Sequence, residues 1–351
     1  MADEESLKFR VRFIGIQKSV ADKYKKLIGA TAEEIAALSR QPTSKLTREY
    51  KLPVSLKRKV KPAIARFQLG ALQLIEAEVR RAWEIANKKD DAILSAYLQT
   101  LQKHPGFFNH NLDALEAWLR RGHGDLSDNV WQVSDQLRQE METQLALGIA
   151  NGDSAATIAR RMKRYLVTPD ALFRRVRDKN GKLIQSRAMK AFHPGQGVYK
   201  SAYKNALRLT RAEMNQAYQL ADGERWRKLD FVLGIKIDLS AQHPDYDYPE
   251  ICEVCAGIYP KWWVFRGWHA QCLCHVTPVL AEQKDLRAWL RGETKTIKGE
   301  QIRELPKNFK EFIRDNARRF LGYKTVPYWM DDNAHAILSI MGEKGPERAK
   351  K

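Results

Sequence analysis

Apolar residues recur at helical spacing along the first half of the chain. From Pro62 to about Lys88, one face holds Ile64, Phe67, Ala71, Leu74, Ile75 and Val79. Spacings of three and four residues are typical of an amphipathic helix, and proline fits the first turn of a helix. The pattern therefore predicts a long helix that begins at Pro62.

Capping signals divide the other helical stretches. Thr31, with Glu34 three residues later, predicts the start of a short helix over 30–39. Ser127 predicts the start of a second helix, and Gly152 predicts its end. The apolar stripe of this second helix consists of Val130, Val133, Leu137, Met141, Leu145 and Ile149.

Beyond residue 150 the pattern changes from helices to short strands. Ser154 predicts the start of a short helix, and the sequence over 201–228 predicts a third long helix. The alternating, β-branched range 231–239 is typical of a strand, and 262–265 and 274–279 are the other strand candidates. Runs of helices followed by a few strands indicate an α+β fold.

The predicted fold is mostly helical, with long N-terminal helices and a small antiparallel β module that contains the cysteines. The Asn180-Gly181 dipeptide predicts a hairpin turn ahead of that module. We predict three domains: a helical N-terminal domain over 1–121, a domain over 122–280 with a Cys/His module at 243–278, and a C-terminal helical extension with a basic tail over 281–351.

Composition favours a folded protein that stays in water. The hydrophobic fraction is 44%, which is ordinary for a chain that buries a core. No apolar run reaches the roughly 18 residues of a membrane span, and the first thirty residues are too charged for a secretory signal. We expect synthesis in the cytoplasm and no membrane partner.

The charge is large and unevenly distributed. The formal net charge is +19, and the range 160–211 alone carries 15 Lys or Arg residues against two acids. Such a concentration favours contact with a polyanion, although a solvated face is the usual meaning of a charge run. The candidate phosphate-contacting residues are Arg174, Arg175, Arg177, Lys182, Arg187, Lys190, Lys200, Lys204 and Arg208.

All four cysteines, Cys252, Cys255, Cys272 and Cys274, fall in one short window. In a chain without an export signal, such clustering favours a metal over disulfides. One interpretation is a tetrahedral zinc site made by the four thiolates. Three histidines are alternate ligands: His243, His269 and His275.

A metal-free interpretation of the same cysteines stays open. Cys-x-Cys chelates poorly on a regular strand, because residues i and i+2 share a face but stand apart along it. The thiols would then be small buried hydrophobes beside Trp262, Trp263, Phe265 and Trp268. The two alternatives for the cysteines are therefore a bound zinc ion and no cofactor.

This arrangement resembles the phage Mu F-like head morphogenesis family. That family's signature is a His, then Cys-x-x-Cys-x-Gly, then His-Pro-x-Cys-Arg-Cys and a closing Pro. The chain has, in the matching order, His243, Cys252, Cys255, Gly257, His269, Cys272, Cys274 and Pro278. Ala270 stands where the family usually has Pro, and Leu273 where it usually has Arg.

The resemblance covers about 125–280 and includes a helical stretch, Thr210-Arg211-x-Glu213, similar to the family's Arg-Thr-Glu. Arg211 and Glu213 would either brace the Cys/His module or belong to a partly buried polar network. The resemblance implies a non-enzymatic minor head protein of a tailed phage or prophage. Such a protein is needed for head morphogenesis or for DNA packaging or delivery.

The implied partners are the portal protein, the scaffold or major capsid protein, and double-stranded DNA without sequence preference. The implied location is the host cytoplasm during assembly and then the capsid interior near the portal. Two alternatives remain: a zinc-dependent HNH-like nuclease, with His269 and His275 as the available histidines, and a plain non-specific DNA-binding protein.

Overall fold

The computed structural model describes residues 2–40, 52–98, 105–167, 176–177, 179–184, 198–240, 250–269, 272–295, 297, 301–323 and 326–342. Among these described residues, five helices come first, and one small hairpin lies between the fourth and the fifth. The helices are α1 (Ala2–Ala37), α2 (Val54–Leu98), α3 (Leu112–Ala150), α4 (Ala155–Val167) and α5 (Ala202–Trp226). Short 3₁₀ turns cover Leu38–Arg40 and Pro105–Phe108.

Strands and short helices follow α5. The hairpin before α5 pairs β1 (Val176–Arg177) with β2 (Leu183–Ile184). After α5 come β3 (Val232–Asp238), α6 (Ile251–Val254), β4 (Gly257–Tyr259), β5 (His275–Leu280), α7 (Gln283–Leu290), α8 (Lys307–Leu321), α9 (Tyr328–Asp331) and α10 (Ala334–Gly342). The predicted fold class is confirmed: the protein is a mostly helical α+β protein with a small antiparallel sheet.

The sheet has three strands in the order β4-β3-β5, and both pairings are antiparallel. Central strand β3 aligns Ile235 with Tyr259 on one side and with Pro278 on the other. The strands predicted over 231–239 and 274–279 are therefore confirmed. The strand predicted over 262–265 is wrong, because Trp263 and Phe265 turn into an aromatic core from irregular backbone.

The described residues divide into two compact units. The first unit consists of Met1–Ile14, Val79–Trp118 and Ala212–Lys351, and the second of Gly15–Glu78 and Leu119–Arg211. Each unit combines stretches that are distant in sequence, whereas the sequence-based division into three domains used consecutive ranges. None of the helices among the described residues is long and apolar enough to cross a bilayer.

The first unit holds the sheet and an aromatic core. Trp268 packs edge-on against Trp329, with ring centroids 5.5 Å apart, and Phe309 lies 5.9 Å from Trp268. Arg266 adds a two-point ion pair to Asp332, with contacts of 2.6 and 2.8 Å. Residues of the predicted C-terminal extension therefore complete the core beneath the Cys/His module.

The second unit is built of packed helices. Its close approaches depend on glycine: a Cβ at Gly148 would lie 2.3 Å from Ile158, so α4 could not approach α3 with any larger residue there. Gly152, with φ +69°, ends α3 as predicted. Ser154 caps α4 as predicted, because its hydroxyl accepts the Thr157 N–H at 3.2 Å.

Three predicted helix starts are wrong, and for one physical reason. Helix α1 runs through Thr31, whose buried hydroxyl donates to the Leu27 carbonyl instead of capping. Helix α2 begins at Val54 and contains Pro62, and α3 runs through Ser127. In each case buried side chains continue the apolar stripe past the local signal. In α2 their burial outweighs the roughly 3 kcal/mol that an internal proline costs. The continuing buried residues are Tyr24, Ile28 and Ile35 in α1, Leu56 and Val60 in α2, and Leu119, Leu126 and Val130 in α3.

Candidate metal centre

One turn of helix separates the first two cysteines. Cys252 lies on α6, and Cys255 caps its C-terminus, with its N–H donating to the Ile251 carbonyl. Cys255 is fully buried, its carbonyl accepts the Tyr259 hydroxyl at 2.7 Å, and burial raises the pKa of its thiol to about 12. These features are those of a core residue.

The second pair lies just before strand β5 instead of on it. The Cys272 N–H donates to the His269 carbonyl at 3.0 Å, and β5 begins only at His275. This irregular backbone removes the objection that Cys-x-Cys on a strand separates its sulfurs. Gly267 makes the approach possible, because its φ is +103° and a Cβ there would lie 3.0 Å from that of Cys272.

Three of the four thiols come together. The ligand atoms of Cys252, Cys272 and Cys274 all lie within 4.8 Å of one another, and Cys255 is not in this group. The Sγ atoms of Cys252 and Cys272 are 3.8 Å apart. Ligands held at ~2.3 Å around a tetrahedral zinc are separated by about 3.8 Å, so this spacing fits a zinc ion.

A histidine lies at the rim of the cluster. His269 Nε2 is 3.1 Å from the Cys252 sulfur, and His269, Glu250 and Cys252 form a second group of candidate ligands. His275 is in neither group, and burial lowers its pKa. The third alternate ligand, His243, lies outside the described residues. His269 is therefore the described imidazole best placed to complete a three-thiol site.

The environment of the thiols favours one thiolate even before metal binds. Hydrogen bonds from the Cys252 and Cys274 thiols hold the pKa of Cys272 well below its usual value. The bond shared with Cys272 raises the pKa of Cys252. The thiolate is the form of cysteine that binds a metal, and these hydrogen bonds favour it at Cys272.

The cluster is closed to solvent. Cys252, Cys272 and Cys274 expose 1%, 1% and 0% of their surface. They belong to the same core as the aromatic residues Tyr259, Trp263, Trp268 and Phe309. A buried, thiol-rich site within a core is typical of a structural metal, whereas a catalytic zinc keeps one position open to water or substrate.

Two side chains that the sequence analysis missed hold the backbone of this loop. Arg10 Nη2 donates to the Leu273 carbonyl at 2.7 Å, and Gln219 Nε2 donates to the Cys274 carbonyl at 3.0 Å. A signal for Arg10 exists in the sequence. It shares the spacing of Ser6, Phe13 and Gln17, so a charged residue occupies a core position of α1.

The candidate phosphate-contacting residues are only partly described. Lys182 and Lys204 are exposed, while Lys200 and Arg208 are half-buried. Lys204 and Arg208 are four residues apart on α5 and so share one face; the guanidinium of Arg208 lies 5.8 Å from the Tyr199 ring. The structure does not describe four of these residues, Arg174, Arg175, Arg187 and Lys190, nor the side chain of Arg177.

The two residues of the helical signature are both half-buried. Arg211 Nε donates to the Gln17 carbonyl at 3.4 Å, and Gln17 Nε2 returns a bond of the same length to the Arg211 carbonyl. The role of Arg211 and Glu213 in bracing the module stays a prediction. Comparison of the chain with protein-family models, with curated proteins and with solved structures gives no match.

Proposed function

We propose that this chain is a non-enzymatic minor head protein of a tailed phage or prophage, in which zinc stabilises the Cys/His module. One observation supports this most strongly. Cys252, Cys272 and Cys274, which belong to the signature that resembles the Mu F-like family, meet inside a core, and the Cys252 and Cys272 sulfurs lie at zinc-ligand spacing. The module is then a rigid docking element and not a reaction centre.

Zinc is the metal that suits this donor set. Three thiolates and an imidazole are soft or borderline ligands, which zinc prefers and magnesium does not. When bound, the ion would cross-link α6 to the loop that precedes β5. A three-stranded sheet is marginal alone, and a metal staple offsets that.

The nuclease alternative finds little support at this site. Metal-dependent DNA cleavage needs a metal with an open coordination position beside a histidine that acts as general base. Here the thiols are buried, and His269 contacts the Cys252 sulfur, which favours a ligand role. Plasmid DNA should therefore remain intact in the presence of divalent metals. Metal-dependent nicking that His269→Ala abolishes would favour the nuclease instead.

Contact with the portal protein, with scaffold or major capsid protein, and with double-stranded DNA completes the proposal. The DNA contact would be electrostatic, because the range 160–211 has a net charge of +13. In this proposal the protein assembles in the host cytoplasm and remains in the capsid near the portal.

The zinc site is tested with matched cysteine variants. Purified protein should hold about one zinc per chain by elemental analysis. Cys252→Ser, Cys272→Ser and Cys274→Ser should each lose most of this zinc, because each removes a thiolate from the cluster. Cys255→Ser is the control and should keep it, since Cys255 lies outside the cluster. Equal loss in all four variants, or zinc-free wild-type protein, would contradict the site.

The role in the head is tested in the phage or prophage that carries the gene. Deleting the gene should abolish infectious particles, and a plasmid copy should restore them. The Cys272→Ser copy should restore fewer particles than the Cys255→Ser copy. Normal particle yields after deletion, with no trace of this polypeptide in wild-type virions, would rule out the proposal.

A further inference from the structure

Arg10 is a buried cation next to the thiol cluster, and the proposed function leaves it unexplained. The residue is 7% exposed and belongs to the first unit together with the cysteines. Its Nη2 donates to the carbonyl of Leu273, the residue between Cys272 and Cys274. Helix α1 thus places a guanidinium on the loop that would bind the metal.

The other nitrogens of this guanidinium lack the hydrogen bonds that usually offset the cost of burying a charge. Arg10 Nε and Nη1 are buried, and no described residue offers either of them a hydrogen bond. The group lies over the rings of Phe13 and Tyr218, at 5.5 and 5.9 Å, which offsets only part of the desolvation cost. A buried charge of this kind requires an opposite charge nearby.

Among the described residues, the acidic or thiol groups that act most strongly on Arg10 are Tyr218, Cys272, Asp222 and Cys274. Asp222 is already paired with the buried Lys89, and burial raises the pKa of the Tyr218 phenol to about 12. Of these four groups, the two thiols are therefore the remaining source of an anion.

The metal-loaded cluster carries a net charge that Arg10 can balance. Three thiolates carry three negative charges, and a divalent ion cancels two of them, so the loaded cluster is an anion of charge minus one. A neutral imidazole as fourth ligand leaves that charge unchanged. We propose that Arg10 is the counter-charge of the metal-loaded cluster of Cys252, Cys272 and Cys274, and that metal binding thereby fixes the N-terminal turns of α1 on the Cys/His module.

This inference rests on the proposed zinc site and adds a positioning residue far from it in sequence. Partners outside the ligand set typically change metal affinity by about 10- to 100-fold when they are removed. Arg10 differs from Gln219, which also holds the loop but is neutral. Charge and hydrogen bonding are therefore separable by substitution.

The test measures zinc affinity at a fixed pH by competition with a chromophoric chelator. Arg10→Gln keeps a hydrogen-bond donor and loses the charge, whereas Arg10→Lys keeps the charge. We expect Arg10→Gln to weaken zinc binding by about 10- to 100-fold and Arg10→Lys by clearly less. Arg12→Gln makes the same charge change at an exposed position of the same helix and should alter affinity by less than about threefold, because solvent screens it.

Equal affinities of Arg10→Gln and wild type, or a weaker Arg10→Lys than Arg10→Gln, would overturn the counter-charge. Such a result with zinc still bound by wild type refutes this inference alone, whereas wild-type protein without zinc refutes the proposed site itself. A second test uses only the wild type, so it does not depend on whether the variants fold. Zinc should slow amide hydrogen exchange in residues 6–14 relative to protein stripped by a chelator, and unchanged exchange there would also overturn the inference.

Discussion

Lys89 and Asp222 form an ion pair that solvent does not reach. Each side chain is 1% exposed, and Lys89 Nζ also lies 3.6 Å from Asp90. The ammonium is 4.9 Å from the Tyr218 ring centroid and 5.0 Å from that of Trp226. Burial raises the pKa of both Asp90 and Asp222, and the Lys89 ammonium acts in the opposite direction by favouring their charged forms.

Removing this cation should be among the most damaging single changes in the first unit. Lys89→Met leaves two buried carboxylates without their partner, and breaking a buried pair from one side costs about 3–5 kcal/mol. Urea denaturation measures this loss as a decrease in the free energy of unfolding. Lys88→Met is the matched control, because Lys88 is 49% exposed and its pair with Glu84 lies at the surface, where such a pair contributes less than about 1 kcal/mol. Similar losses in the two variants would show that burial of Lys89 does not matter.

Residue-level chemistry was only partly predictable from the sequence. The shared spacing of the cysteines indicated a common site, and three of them do meet. Nothing in Cys-x-x-Cys separates Cys255 from Cys252, because the two differ only in the direction that a one-turn helix gives them. Arg10 contacts the cysteine loop from more than 260 positions away in sequence, and such a contact is a property of tertiary packing.

At the scale of elements, apolar periodicity was a better guide than capping signals. It located the long helices and strands β3 and β5, while Thr31, Pro62 and Ser127 each suggested a boundary that the structure lacks. Glycine marked real ends where geometry demanded it, as at Gly152. The three-residue strand β4 was missed, since so short a segment carries no readable alternation.

The start of helix α5 depends on a buried carboxyl group. Both oxygens of Glu140 on α3 accept the Ala202 N–H, at 3.1 and 3.3 Å. The positive end of the helix favours an anion there, but burial acts in the opposite direction and raises the pKa of Glu140 from 4.5 to about 8. Burial therefore decides that Glu140 carries a proton in the folded protein near neutral pH.

This helix start should make stability depend on pH. Between the unfolded value of 4.5 and the folded value of about 8, the folded chain holds a proton on Glu140 that the unfolded chain has released. The stabilisation is therefore complete below about pH 4.5 and is lost as pH rises toward 8, by at most about 1.4 kcal/mol per pH unit. Glu140→Gln stays neutral and keeps an acceptor for Ala202. Urea denaturation from pH 5 to 8 measures the free energy of unfolding of both proteins. That of wild type should fall relative to that of Glu140→Gln as pH rises, and a constant difference between the two would contradict the raised pKa.

At the scale of the whole molecule, the net charge of +19 is the dominant electrostatic property. Two explanations of the proposed DNA binding follow from it. Either any basic part of the chain attracts DNA, or the range 160–211 forms a defined contact surface. Lys204 and Arg208, on one face of α5, are described residues of that range. The two explanations differ in whether the position of a charge matters.

Salt-dependent DNA binding distinguishes these explanations. Binding of a random duplex, followed by fluorescence anisotropy, should weaken steeply with salt, with a slope near 0.9 per phosphate contacted. Lys204→Gln with Arg208→Gln should weaken binding and lower that slope by about two. The control, Lys284→Gln with Lys307→Gln, removes the same charge from side chains that are 75% and 91% exposed in the other unit. If both pairs weaken binding equally, affinity follows net charge and no defined surface exists; binding that persists at high salt would instead favour a sequence-reading regulator over a structural head protein.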